Sequence, residues 1–237
     1  MPAVLVHGVP DTAELWAPIR DRLARADVVA VRLPGFAAPV PDGFRCTKEA
    51  YVEWLVGELE AVGPPVDLVG HDWGSLLAQR VVTTRPELVR TWALADGAVS
   101  PVFSWHELAT QWQTPGVGEQ IVELMTPDAV AAALRAAEHP DPDGAAARID
   151  DGMKRAVLAL YRSAVDLATE WLPAAGRPGP PGRVFWGARD AYGPPTFGQA
   201  AAERADAPYV ELDAGHWSLL ERPDDAVPVL EELWREA

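Results

Sequence analysis

The chain has 237 residues, 49% of them hydrophobic, and a formal net charge of −15. That size and composition suit one α/β domain with an insertion, large enough for a substantial core. The charge argues against nucleic acid or an anionic membrane as a partner. A lone cysteine, Cys46, excludes an intrachain disulfide and fits a reducing, cytoplasmic location. The opening Met1-Pro2-Ala3-Val4-Leu5-Val6-His7 lacks a basic start, and its apolar run is too short for a signal peptide or a membrane span. No C-x-x-C, H-E-x-x-H or G-x-G-x-x-G occurs, so neither a metal site nor a cofactor is expected.

Short apolar runs alternate with helical patterns, which predicts a mostly parallel sheet flanked by helices. The first strand is expected over 3–7. It ends in His7-Gly8-Val9-Pro10, a loop placed to offer backbone N–H groups to a developing negative charge. Pro10 would help fix that backbone through a cis bond. A helix over 15–25 and a strand over 28–33 follow, then Leu33-Pro34-Gly35-Phe36, read as structural. A helix over 47–62 leads to a strand over 66–71.

That third strand runs into Gly70-His71-Asp72-Trp73-Gly74, followed by a helix over 74–85. Strand, sharp turn between two glycines, then helix is the layout of a nucleophile elbow. Glycines are needed because the strained turn crowds its own backbone. The central residue is Asp72 rather than a serine. A carboxylate is already ionised near pH 7, so it attacks without a base and needs one only to hydrolyse the covalent intermediate. Attack on an ester or amide would give an anhydride, whereas attack on saturated carbon gives a stable alkyl ester. Asp72 therefore favours opening an epoxide or expelling a halide. The competing reading is an ordinary strand-to-helix turn with a polar residue in it.

A fourth strand is expected over 91–96. Residues 98–182 then change character and are helical where patterned, over 118–125, 128–138 and 146–172. This divides the chain into a core part at 1–97, a helical cap at 98–182 and a second core part at 183–237. The Pro/Gly-rich run Pro173 to Arg183 is the linker back to the core. A fifth strand over 183–187 places Asp190 just beyond its end, and a sixth over 209–213 places His216 likewise. A helix over 224–236 closes the chain. The order Asp72, Asp190, His216 is nucleophile, acid, base, each past a strand's C-terminal end where ligands bind in open parallel sheets. Asp96 also ends a strand and competes with Asp190 for the acid role; Asp213 is a weaker competitor.

On these motifs the chain resembles the α/β-hydrolase superfamily, specifically its aspartate-nucleophile branch of epoxide hydrolases and haloalkane dehalogenases. The resemblance implies an α/β-hydrolase fold, shortened at the N-terminus, with a helical cap. His7-Gly8-Val9-Pro10 is similar to the H-G-x-P pattern of epoxide hydrolases, whereas haloalkane dehalogenases often carry an asparagine at the position of Val9. Haloacetate dehalogenases place an arginine where this chain has Trp73. Leu160-Tyr161-Arg162 resembles the tyrosine step of epoxide hydrolases, whose phenol supports the departing oxygen. The second tyrosine of that family has no match between Phe103 and Trp112. The reading favoured by the resemblance is an epoxide hydrolase acting on a small apolar substrate. Asp72 attacks, Tyr161 with Trp105 or His106 supports the oxygen, His216 with Asp190 activates water, and the N–H groups of Val9 and Trp73 hold the oxyanion. The alternatives are a haloalkane dehalogenase, with Trp73 and Trp105 as halide donors, and a non-catalytic binder of a small ligand. These aromatics, Trp112 included, also admit a simple packing role.

Overall fold

A computed structural model describes residues 1–175 and 179–237; residues 176–178, part of the expected linker, lie outside the described residues. Six strands form one sheet: β1 (Ala3–Val6), β2 (Val28–Val31), β3 (Val66–His71), β4 (Val89–Ala95), β5 (Gly182–Gly187) and β6 (Tyr209–Leu212). Their order is β2-β1-β3-β4-β5-β6, and every pairing is parallel. The chain turns back beyond β1, so β1 and β3 flank the point where the strand order reverses, the usual ligand crevice of such sheets.

Side-chain alternation along the strands builds two cores. Val4, Val6, Val66 and Leu68 face α2 (Lys48–Val62) and α3 (Trp73–Thr84), burying Tyr51, Leu55, Leu59, Leu77 and Val81. Ala3, Leu5 and Val69 face the other way, against Ile19 of α1 (Ala17–Arg20) and against Leu230 and Leu233 of the C-terminal helix. Between β4 and β5 lie α4 (Glu107–Gln113), α5 (Val117–Leu124), α6 (Pro127–Ala136), α7 (Pro142–Ala147), α8 (Asp151–Arg162) and α9 (Leu167–Glu170). After β5 come α10 (Pro195–Ala205), α11 (Ser218–Glu221) and α12 (Pro223–Glu236). No helix among the described residues is long and apolar enough to cross a membrane.

Two expected helices are shorter than their sequence pattern. The one placed at 15–25 is a 3-10 turn at Ala13–Trp16 followed by α1, which ends at Arg20. Beyond it the chain follows its charges: Arg22 bonds Asp224, and Arg25 bonds Asp27 and Asp67. The helix placed at 146–172 is three helices. Asp150 caps α8 by accepting from the Met153 N–H at 2.7 Å. At its far end Ser163 donates to the Leu160 carbonyl and accepts from the Lys48 N–H, which ends the helix and ties it to α2. The helix α10 escapes the periodicity because its first turn holds Pro195 and Gly198, although Gln199 to Glu203 are good helix formers.

Candidate active site

The elbow is built by backbone crowding. Asp72 sits at φ 52° and ψ −120°, a conformation that costs a side-chain-bearing residue about 1–3 kcal/mol. A Cβ on Gly74 would run into the carbonyls of Val6 and His7, and one on Gly70 into the backbone of Gly74. Only glycine lets α3 start this close to β1. Ser75 fastens the turn, donating from Oγ to the Gly70 carbonyl at 3.0 Å and accepting from the Ala95 N–H at 2.7 Å.

The Asp72 carboxylate is held on both sides. Its Oδ1 accepts from the Val9 N–H at 2.7 Å, and a Cβ on Gly8 would collide with it. Its Oδ2 lies 3.6 Å from His216 Nε2. The expected cis bond is present at Val9–Pro10. His7 reaches no cavity. It is fully buried, its Nδ1 pairs with the Gly8 carbonyl, and its Nε2 accepts from the Leu33 N–H, so it holds the loop rather than touching a ligand. Burial would raise the Asp72 carboxyl, but His216 and the Val9 N–H outweigh it and hold it below its usual range. The N-terminus of α3 also favours an anion there.

His216 Nδ1 bonds Asp190 Oδ2 at 2.9 Å. Asp190 is fixed in turn, since its Oδ1 accepts from the N–H groups of Tyr192 and Gly193. Asp96, the competing acid, is occupied elsewhere. It accepts from the Gly187 N–H, the Ser218 N–H and the Ser218 hydroxyl at 2.7–3.0 Å. Burial and then the Asp190 charge push its carboxyl well up. Asp213 is on the surface with Arg189 and Arg222. Burial opposes a charge on His216, but Asp190 and Asp72 outweigh it and raise the imidazole well above its ordinary value. His216 thus stands between two carboxylates that favour its charged form.

A cavity of about 220 Å³ opens over Asp72 and His216. Its outer wall comes from the segment between β4 and β5, with Leu108, Ile121, Leu124, Met125, Val130 and Leu134 among its residues. Among the described residues neither lysine nor arginine lines it. The polar groups on the wall are few: Asp72, His216, His106, Tyr161, Tyr192 and the indoles of Trp112 and Trp217, of which Trp217 donates to Asp11. Tyr161 is buried, with its ring 5.3 Å from Trp73 and 4.8 Å from Trp112. Burial and then the Asp72 charge push its phenol well up, so it stays a proton donor. His106 caps α4, its Nδ1 accepting from the Ala109 N–H at 3.2 Å, which leaves the proton on Nε2. Burial lowers its pKa and keeps it neutral.

The tryptophans are arranged differently from the expectation. Trp105 stacks on Trp73 with centroids 5.5 Å apart, but its indole N–H donates to the Ala164 carbonyl at 2.9 Å and it does not line this cavity. Among the described residues the Trp112 N–H is buried with no hydrogen-bond partner, and the Trp73 N–H has no well-formed hydrogen bond although it lies near the Tyr161 hydroxyl. Three features lie outside the sequence reading. Tyr192 reaches the cavity from the Asp190 loop rather than from the helical segment. Ser75 holds the elbow. Asp11, just past Pro10, accepts from His139 Nε2 at 2.8 Å and Trp217 Nε1 at 2.9 Å, tying the loop after β1 to the chain beyond α6.

This sheet and elbow define an α/β-hydrolase, and the chain belongs to that family, whose sequence model matches residues 3–228. An (E)-2-((N-methylformamido)methylene)succinate hydrolase of Acinetobacter baylyi is 30% identical over 112 residues, 46% of this chain and 43% of the relative. The match thus spans less than half of either protein. Among solved structures, a 2-hydroxy-6-oxo-6-phenylhexa-2,4-dienoate hydrolase from Rhodococcus is similar at TM-score 0.80 and 21% identity, over 99% of this chain and 90% of that one. A haloalkane dehalogenase from Bradyrhizobium elkani is similar at TM-score 0.77 and 20% identity, over 100% and 91%. A thermophilic esterase from Thermogutta terrifontis gives 0.76 and 21%, over 100% and 90%. At these identities the likenesses describe the fold.

Proposed function

We propose that this hydrolase opens a small apolar epoxide to a diol through an Asp72 alkyl ester, under a cap formed by residues 98–182. The observation that carries the reading is the polar inventory of the cavity. A phenol, Tyr161, stands on the wall with Asp72, while the Trp105 indole that a halide site would use is spent on a backbone carbonyl. An alkoxide is a far poorer leaving group than a halide, so a proton donor beside the nucleophile matters most for an epoxide.

In this mechanism Asp72 Oδ2, the oxygen not held by Val9, attacks the less hindered carbon. Forming the ester removes the Asp72 charge, and His216 loses one of the two carboxylates that kept it protonated. Its pKa falls, so it can serve as the base that takes a proton from water. Hydroxide adds to the Asp72 carboxyl carbon, and the N–H groups of Val9 and Trp73 hold the oxyanion. A volume of about 220 Å³, equal to roughly seven waters' share of the liquid, suits a small substrate. The Acinetobacter relative's name specifies a succinate, but a wall whose described residues include no lysine or arginine offers a substrate carboxylate only His216, which Asp72 and Asp190 already pair.

The second reading is a haloalkane dehalogenase, favoured by the two unpartnered indoles of Trp73 and Trp112. A panel of epoxides and haloalkanes, assayed for diol and halide release, separates the two. Tyr161→Phe should slow epoxide opening by about 10²- to 10⁴-fold, whereas Trp105→Phe should cost far less. Halide release without diol formation, unaffected by Tyr161→Phe, would establish the dehalogenase instead.

A further inference from the structure

The proposed opening of an epoxide needs its oxygen held, and the helical segment supplies one phenol, Tyr161, for that task. Tyr192 lies in the loop after β5, two residues past Asp190. Its own backbone N–H helps fix that carboxylate, so the loop that positions the acid also positions the tyrosine. Its ring stands edge-on to His216 at 4.8 Å and to His106 at 5.1 Å. It lines the main cavity together with Asp72 and Tyr161. Its hydroxyl makes no hydrogen bond to any described residue, although the residue is half-buried beside His106 and His216. A phenol in a catalytic cavity with its donor unused is more than a filler, because phenylalanine would pack as well without a polar group to satisfy.

We infer that Tyr192 is the second oxygen-holding phenol of the site, acting with Tyr161 on the departing epoxide oxygen; this rests on the epoxide reading above. The Asp72 Oδ2–carbon bond forms as the carbon–oxygen bond of the ring breaks, and the electron pair goes to the oxygen. That oxygen takes a phenol proton. The phenolate left behind recovers a proton from the His216 imidazolium, which is charged before the ester forms and whose ring lies against Tyr192. His216 is thereby neutral when the water step needs a base. Water then gives it a proton, the tetrahedral intermediate collapses to the Asp72 acid and the diol alkoxide, and the acid protonates the alkoxide. The cycle ends as it began, with no net proton gained or lost.

The test is rapid-quench intact-mass spectrometry of wild type, Tyr192→Phe, Tyr161→Phe and the double variant, each mixed with excess styrene oxide. Adduct formation and adduct decay are timed separately. Tyr192→Phe should slow adduct formation at least tenfold and leave its decay within about twofold, with the melting temperature unchanged. The double variant should form adduct more slowly than either single variant. A purely structural role would disturb both phases or the melting temperature. Adduct formation at the wild-type rate in a folded Tyr192→Phe would overturn the inference while leaving the epoxide reading intact. A wild type that opens no epoxide in the panel but releases halide would overturn the reading, and the inference with it.

Discussion

Two acids compete for one histidine, and their environments decide between them. Asp190 faces His216 with one oxygen and takes two backbone N–H groups on the other. Asp96 takes three donors from β5 and α11 and is driven toward its neutral form by burial and by the Asp190 charge. An amide at Asp190 loses the pair with His216, whereas at Asp96 it turns its NH2 on a backbone N–H of Gly187 or Ser218, a cost borne by the fold rather than by His216. Asp190→Asn should slow ester hydrolysis by about 10²- to 10⁴-fold; Asp96→Asn should stay within about tenfold of wild type. Steady-state turnover with the best substrate of the panel, measured on both variants, checks the pair. The reverse ranking would transfer the acid role to Asp96. The sequence placed both carboxylates at strand ends but held no sign of which one His216 would meet, because that depends on how the loops after β4, β5 and β6 turn.

At the scale of elements, the strand-to-helix turn was legible because only glycines survive its crowding. Gly70 and Gly74 bracket Asp72 in the sequence as they do in space. Gly74→Ala would force α3 away from β1 and should cost about 3 kcal/mol or more. Gly57, mid-way along α2 with open space where a Cβ would go, is the counterpart. Gly57→Ala should stabilise by about 0.5–1 kcal/mol through helix propensity. Urea midpoints of the two variants should therefore move in opposite directions. The six strands were equally legible from their apolar runs. The helices between β4 and β5 were less so. Met153, Val157, Leu160, Ala164 and Leu167 keep one helical spacing across the break after Arg162, where Ser163 bonds the Leu160 carbonyl and the Lys48 N–H. Tyr192 is not legible for a related reason: the resemblance places a second phenol in the helical segment, whereas this chain carries one on the loop after β5.

For the whole molecule, buried imidazoles couple stability to pH. Burial and the neighbouring His216 push His71 down to about 4, and burial lowers His7 as well. The unfolded chain takes up these protons near pH 6.5. The folded chain resists until lower pH, so their contribution is full above 6.5 and is lost as the pH falls toward 4. For His71 alone the difference is on the order of 3 kcal/mol. His216 has the opposite sign. Its raised value means a contribution fully present below 6.5 and lost as the pH rises through the folded value. Stability should thus peak near neutrality and decline on both sides. Urea midpoints from pH 4.5 to 8 should show this peak, and His71→Gln should flatten its acid side; an acid limb unchanged by that substitution would place the titrating groups elsewhere.

The division of labour between Asp72 and His216 is the centre of the mechanism, and one mass measurement addresses it. In the proposed mechanism Asp72 needs no base to attack, whereas the ester it would form needs His216 for its hydrolysis. His216→Gln, mixed with an epoxide that wild type converts and examined by intact-mass spectrometry with peptide mapping, should gain one substrate mass on Asp72 and retain it. A variant that stays unmodified, or that carries the added mass on any other residue, would contradict the two-step Asp72 mechanism.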